Sequence, residues 1–214
     1  MTETTTEATA TPDAIGYGFA EMAALASLRG GDAAVLSAQA LRVDSYLGDS
    51  TMVSAGASSL VARGLATAES DGLLAVAGPT AAVASVLSSA SRRMEISLLT
   101  AEGGDSVIGM ESQDIHLLFQ PRAYFTWWAM AQRPDVSAAE ANFLVIKHHL
   151  HSAPEGGATL RRREEPTGQT LYVKNGGDGS WTIGTSNTQQ KDIVETRGLD
   201  DAALLDQIRT IRQD

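Results

Sequence analysis

The sequence predicts an α+β fold, with a winged-helix-like N-terminal part followed by antiparallel sheet flanked by helices. Three observations carry this reading. Helix-period segments fill Asp13 to Arg63, a strand-turn-strand unit closes them in LATAESDGLLAVA, and from Arg92 onward short alternating runs follow one another across Gly- and Pro-rich turns.

Taken in order, residues 1–13 form a solvated, disordered tail of threonines, with Glu3 and Glu7 and neither a basic nor an apolar region of a secretory signal. From Asp13 the apolar residues Ile15, Phe19, Met22, Ala23 and Ala26 recur at three- and four-residue steps, predicting a first helix that Gly30-Gly31 stops. A second helix is expected over residues 33–46, with Leu36, Ala40, Val43 and Leu47 on one face. Ser50 is the expected N-cap of a third, about Thr51 to Arg63, whose stripe is Val53, Ala57, Leu60 and Val61 and whose C-cap is Gly64. Leu65 to Ala68 and Leu73 to Ala77 then read as a wing turned by Asp71-Gly72.

The remaining part, residues 80–214, is expected to form one compact unit with residues 14–79. Thr80 caps a helix to about Ala90. Alternation predicts strands around Met94 to Leu99, Val107 to Met110, Ile115 to Gln120 and Tyr124 to Met130, with Ala101 to Asp105 as a turn. A helix from Asp135 or Ser137 to about His151 presents Phe143, Leu144, Ile146 and Leu150. Strands over residues 158–163, 169–174 and 180–185 follow, and a helix over about 200–212 buries Leu204, Leu205, Ile208 and Ile211. A helix followed by a three-stranded meander thus occurs twice, a quasi-two-fold repeat of architecture without repeated residues.

Composition narrows the function. Among 214 residues, 43% hydrophobic, there is no cysteine, which excludes disulfides, thiolate metal sites and cysteine nucleophiles and makes a reducing, cytoplasmic setting the expectation. No apolar run reaches the roughly 18 residues of a membrane span. Sixteen Lys and Arg stand against 26 Asp and Glu, a net charge of -10, which opposes approach to phosphates unless positive charge is concentrated locally.

Several local signals bear on chemistry. Thr51 to Leu60 offers Thr, Ser, Ala and Gly where a DNA-reading helix needs Arg, Lys, Asn or Gln, and the wing tip Glu69-Ser70-Asp71 is acidic. His148 and His151 share a helix face without further metal ligands in register, so they read as a solvated helix end, and no metal or cofactor is expected. Arg161-Arg162-Arg163 is answered by Glu164-Glu165 and reads as a charged edge strand. The glycines of Gly103-Gly104-Asp105 and Gly176-Gly177-Asp178-Gly179 read as hairpin turns, and no nucleophile elbow or acid-base pair marks an enzyme.

The strongest local signal is Tyr124-Phe125-Thr126-Trp127-Trp128-Ala129-Met130. Alternation places Phe125 and Trp127 on one side and Tyr124, Trp128 and Met130 on the other, either as a central strand covered on both faces or as a protein-binding surface. These five residues are the candidate partner-binding site.

The succession LVARGLATAESDGLLAVAGP, RRMEISLLTAEGGDSVIGM, HLLFQPRAYFTW and DGSWTIGTSNTQQ before an amphipathic C-terminal helix resembles the EspG family of actinobacterial type VII (ESX) secretion-associated proteins. That resemblance implies a cytosolic chaperone with a quasi-two-fold sheet flanked by helices. Such a protein holds a helical secretion substrate near an apolar tip and keeps it soluble for export. The residues themselves leave two readings open. One is a non-enzymatic protein-binding chaperone or adaptor, with nucleic acid and membrane not expected as partners. The other is a winged-helix transcriptional regulator, which needs Arg92, Arg93, Arg122, Arg133 and Arg161 to Arg163 to converge. An enzyme would need a polar pocket, for instance around Asp114 and His116.

Overall fold

A computed structural model describes residues 14–164, 168–186 and 193–214; the expected tail over residues 1–13 lies outside them. The expected first helical turn is a strand. Ile15–Gly18 (β1) pairs antiparallel with Thr126–Ala131 (β7), and helix α1 spans only Phe19–Ser27. Each glycine in IGYG disfavours helix by about 1 kcal/mol relative to alanine, while the ladder to β7 gives the same backbone groups partners.

Helix α2 (Asp32–Ala40) stops well before residue 46. The chain turns through Arg42 at φ 58° into a single 3-10 turn, Asp44–Tyr46. Helix α3 (Ser50–Ala62) is capped by Asp49 rather than Ser50, because the Asp49 carboxylate accepts from the Thr51 and Met52 amides. Gly64, at φ 69°, ends it as expected. The wing is β2 (Ala66–Ala68) paired with β3 (Leu74–Val76). Helix α4 (Gly78–Ser89) begins ahead of Thr80, with Pro79 in its first turn, so Thr80 is not the cap. Its hydroxyl is buried against Tyr17 Oη at 3.1 Å.

The sheet comprises β4 (Arg92–Thr100), β5 (Gly103–Glu111), β6 (His116–Arg122), β7, then β8 (Gly157–Arg162), β9 (Thr170–Asn175), β10 (Trp181–Ser186) and β11 (Val194–Leu199). With β1 these form nine antiparallel strands in the order β1-β7-β6-β5-β4-β8-β9-β10-β11. Helix α5 (Ala138–Ser152) is opened by a capping box of Ser137 and Glu140, and α6 (Asp201–Arg212) by Asp200. The expected repeat is one of order: a helix, then a meander running outward from the sheet centre. Each meander has four strands rather than three, β4 to β7 and β8 to β11, and β1 adds the ninth strand beside β7.

The two halves carry their helices on opposite faces. Register places Arg93, Glu95, Ile108, Met110 and Phe119 on one face and Met94, Ile96 and Val107 on the other. Helices α1, α2 and α4 cover Ile108, Met110, Phe119 and Trp127, whereas α5 and α6 cover Met94, Ile96, Leu160, Leu171, Val173 and Trp181. Both cores therefore meet at β4 and β5, whose residues Arg93 to Ile96 and Val107 to Glu111 are buried whichever way they point. In α5, Ile146 and Leu150 face inward as expected, but Leu144 is exposed; Ala139 and Asn142 are buried in the helix instead.

Two buried arginines tie helices to the sheet. Arg93 donates to Ser37 Oγ (3.0 Å), the Ala33 carbonyl (2.6 Å) and Glu164 (3.0 Å), joining β4 to α2. Arg212 donates to both Glu111 oxygens (2.8 and 2.9 Å) and to Asn142 Oδ1 (2.7 Å), joining α6 to β5 and α5. Among the described residues, no helix is long and apolar enough to cross a membrane.

Candidate functional site

The aromatic run is divided by a turn. β6 ends at Arg122, residues Ala123–Phe125 form a 3-10 turn, and β7 starts only at Thr126. Tyr124 (φ 61°, ψ 32°) and Phe125 (φ 57°) both occupy the left-handed region, which disfavours side chains bearing a β-carbon by about 1–2 kcal/mol each. They are not strand residues on opposite faces, as alternation predicted, but neighbours at the tip of a hairpin, 93% and 79% exposed.

The other three candidates lie elsewhere. Trp127 is 7% exposed, opposite Tyr17 in the β1-β7 ladder, within the core under α1 and α4. Trp128 points to the other face, 40% exposed, with its indole lying against Gly16; half-buried Met130 shares that face. The five residues thus fall into a tip, a core and an outer face. The doubly covered strands expected here are β4 and β5 instead.

The tip is braced from α1. The Phe125 ring meets Phe19 edge-on at 6.2 Å between centroids, and Phe19 meets Tyr46 at 5.2 Å. Helix periodicity assigned Phe19 to the inward stripe, and Phe19 is indeed half-buried against the core, but no sequence signal gave its contact with Phe125 or a role to Tyr46. Phe19, Tyr46 and Phe125 thus form an aromatic knob at one end of the sheet, with the Tyr124 ring standing free beside Phe125 in solvent.

Arg63, the one cation of α3 and the wing, is engaged. Arg63 binds Glu21 Oε2 at 2.6 Å and the Gly16 carbonyl at 2.9 Å, and Ser59 Oγ donates to the other Glu21 oxygen at 2.6 Å. The outer positions of α3, including Thr51, Ser54, Ala55 and Ser58, remain uncharged, and Glu69 and Asp71 are exposed at the wing tip. Of the arginines considered for a positive patch, Arg92, Arg93 and Arg161 to Arg163 come together on the adjacent strands β4 and β8, whereas Arg122 and Arg133 lie apart, and each of the seven has a polar or acidic partner. Arg92 pairs with Glu111 and Asp214, Arg93 with Glu164, Arg122 with Asp105, Arg133 with Asp135, and Arg161 and Arg163 with Glu95; Arg162 donates to Gln213.

The arginine run is not an edge. β8 lies at the sheet centre between β4 and β9, and Glu95 stands directly opposite Arg161. Burial pushes the Glu95 carboxyl up, but hydrogen bonds and charge from Arg161 and Arg163 outweigh it, and the group sits below its ordinary value. Gly103 to Asp105 also lies within β5, the turn being Ala101-Glu102. Gly176 to Gly179 does form a turn, held by the Asn175 and Asp178 side chains on the Gly177 and Ser180 amides.

No group of three or more metal-ligating side chains occurs among the described residues. His151 Nδ1 lies 2.7 Å from the Lys147 carbonyl, and Lys147 and the Trp181 indole both reach Asp201. A trough of about 680 Å³ opens on the uncovered face of the second half, lined by Leu99, Thr159, Tyr172, Gly184 and Ile193, with Lys174 and Glu195 paired at 2.8 Å. Asp114 and His116 do not line it. No protein-family model matches the chain, and no curated protein matches it.

Proposed function

We propose that the chain is a non-enzymatic protein-binding chaperone or adaptor that receives a helical partner against the aromatic knob of the β6-β7 hairpin. The observation that carries this reading is the pair Tyr124 and Phe125, two large aromatics held in an unfavourable backbone region and directed into solvent. Backbone strain of this kind persists where surrounding structure enforces it and a site uses it, and exposed aromatic rings on a braced turn suit the anchor role that Tyr and Trp play in interfaces. In the EspG-like form of this proposal the partner is a type VII secretion substrate, kept soluble in the cytoplasm until export.

The winged-helix arrangement of α1 to α3 with β2 and β3 favours a transcriptional regulator as the second reading. The pairing of Arg63 with Glu21 and the acidic wing tip weigh against it, because phosphate contacts need free cations.

A photoreactive phenylalanine placed at position 124 or 125 separates the two. In native lysate it is expected to cross-link a helical protein, resistant to nuclease, that the same probe at the exposed wing residue Leu73 does not capture. Nuclease-sensitive adducts, or equal capture from Leu73, would overturn the adaptor reading.

A further inference from the structure

The two edges of the nine-stranded sheet are finished differently. β1 is four residues long, its Gly16 carbonyl is held by Arg63, and its Ile15 lies beside the wing and the start of α4. β11 is exposed from Val194 to Gly198, preceded by exposed Ile193, and among the described residues no element lies beyond it. An uncovered strand edge is a template for pairing with another strand.

We infer that β11 is a self-association edge, through which two copies of this chain pair antiparallel about a two-fold axis at Thr196. Residues directly opposite in an antiparallel ladder share a face, so a two-fold normal to the sheet must pass through a residue rather than between residues. An axis at Glu195 sets Glu195 against its own copy, and one at Arg197 sets two arginines together. The axis at Thr196 places Glu195 opposite the second copy's Arg197 and Arg197 opposite the second copy's Glu195. Val194 then faces Gly198 across the ladder.

Charge on an edge strand ordinarily discourages pairing, and Gly198, at φ 74°, with the register shift against β10 adds a bulge that does the same. Here the order Glu-Thr-Arg rejects most strands while matching itself. Within one chain Arg197 reaches back to Glu195 at 2.8 Å, and Glu195 also holds Lys174, so the charges are already aligned along the edge. The ladder is short and its contact area small, which makes a weak dimer the expectation, populated at roughly 100 μM and above.

Sedimentation velocity tests this with charge variants. Glu195→Arg and Arg197→Glu alone are each expected to remain monomeric, since each sets like charges opposite across the two-fold. An equimolar mixture of the two restores both pairs and is expected to sediment as a heterodimer at the concentration where the wild type dimerises. Thr196→Lys, on the axis and clear of the Lys174 pair, is expected to be monomeric too, and circular dichroism establishes that each variant is folded. A wild-type chain monomeric up to about 1 mM, or Arg197→Glu dimerising like wild type, would overturn the inference. So would a mixture that stays monomeric where wild type associates.

Discussion

Gly56 of α3 lies so close over Ala20 of α1 that a β-carbon on the glycine would stand 1.9 Å from the Ala20 carbonyl oxygen. The contact sets the crossing of the two helices, beside the hydrogen bonds from Ser59 and Arg63 to Glu21. Gly56→Ala is therefore expected to destabilise the protein by about 1–3 kcal/mol, read as a lower urea midpoint. Alanine's helix propensity favours the change by about 1 kcal/mol, but the opposing atom is backbone and cannot swing aside. A rise in the midpoint would show that α1 and α3 can move apart freely.

Tyr124→Gly separates stability from binding. Glycine accepts φ 61° without strain, a gain that exceeds the cost of its greater freedom in the unfolded chain, and the lost ring is nearly all in solvent, so stability is expected to rise by up to about 1 kcal/mol, read as a higher melting temperature. Partner capture should fall under the proposed function. A variant that is both more stable and fully competent to bind would remove Tyr124 from the site.

Arg212 is the counterpart in the core. Burial disfavours its charge, but the hydrogen bonds and charges of Glu111 and Asp214 outweigh that and raise its pKa. Arg212→Met leaves the buried Glu111 carboxylate with Arg92 as its one remaining cation, and is expected to lower stability toward the lower end of about 3–5 kcal/mol. Arg212→Met combined with Glu111→Leu should recover a large part of the loss. A double variant no better than the single would place the damage in packing, not in the lost charge partner.

Glu95 predicts the acid response. Its carboxyl is depressed in the folded state relative to its ordinary 4.5, so the contribution of its pairs with Arg161 and Arg163 is complete above that pH and is lost as pH falls through the depressed folded value. Urea midpoints measured from pH 6 downward should decline through this range. Glu95→Gln should start lower and decline less steeply; an unchanged slope would assign acid sensitivity to other carboxylates.

What the sequence revealed depended on whether the cause was local. Helices α3, α5 and α6 followed from their apolar period, with Gly64 ending α3 and Ser137 among the two starts offered for α5, and β4 from the alternation of Met94, Ile96 and Leu98. Ile15–Gly18 misled because its partner, β7, lies more than a hundred residues away. The charged run at Arg161 looked like an edge because its neutralising Glu95 is distant in the chain. β11 has no apolar alternation, since an edge strand buries little on either face. Tyr124 and Phe125 are the sharpest case: nothing in an aromatic residue type favours the left-handed region, so apolar alternation continues in the sequence straight through what the backbone makes a turn.

The placement of the two helical layers on opposite faces has a dynamic consequence. Among the described strands, β4 and β5 are the ones that helices roof on both faces, so amide hydrogen exchange should be slowest at Arg93 to Ile96 and Val107 to Glu111 and quicken toward β1 and β11 alike. Such a protein opens from its rims inward, and its last protected protons mark the seam where the halves join. A protection maximum inside either meander would mean instead that each half keeps a kernel of its own.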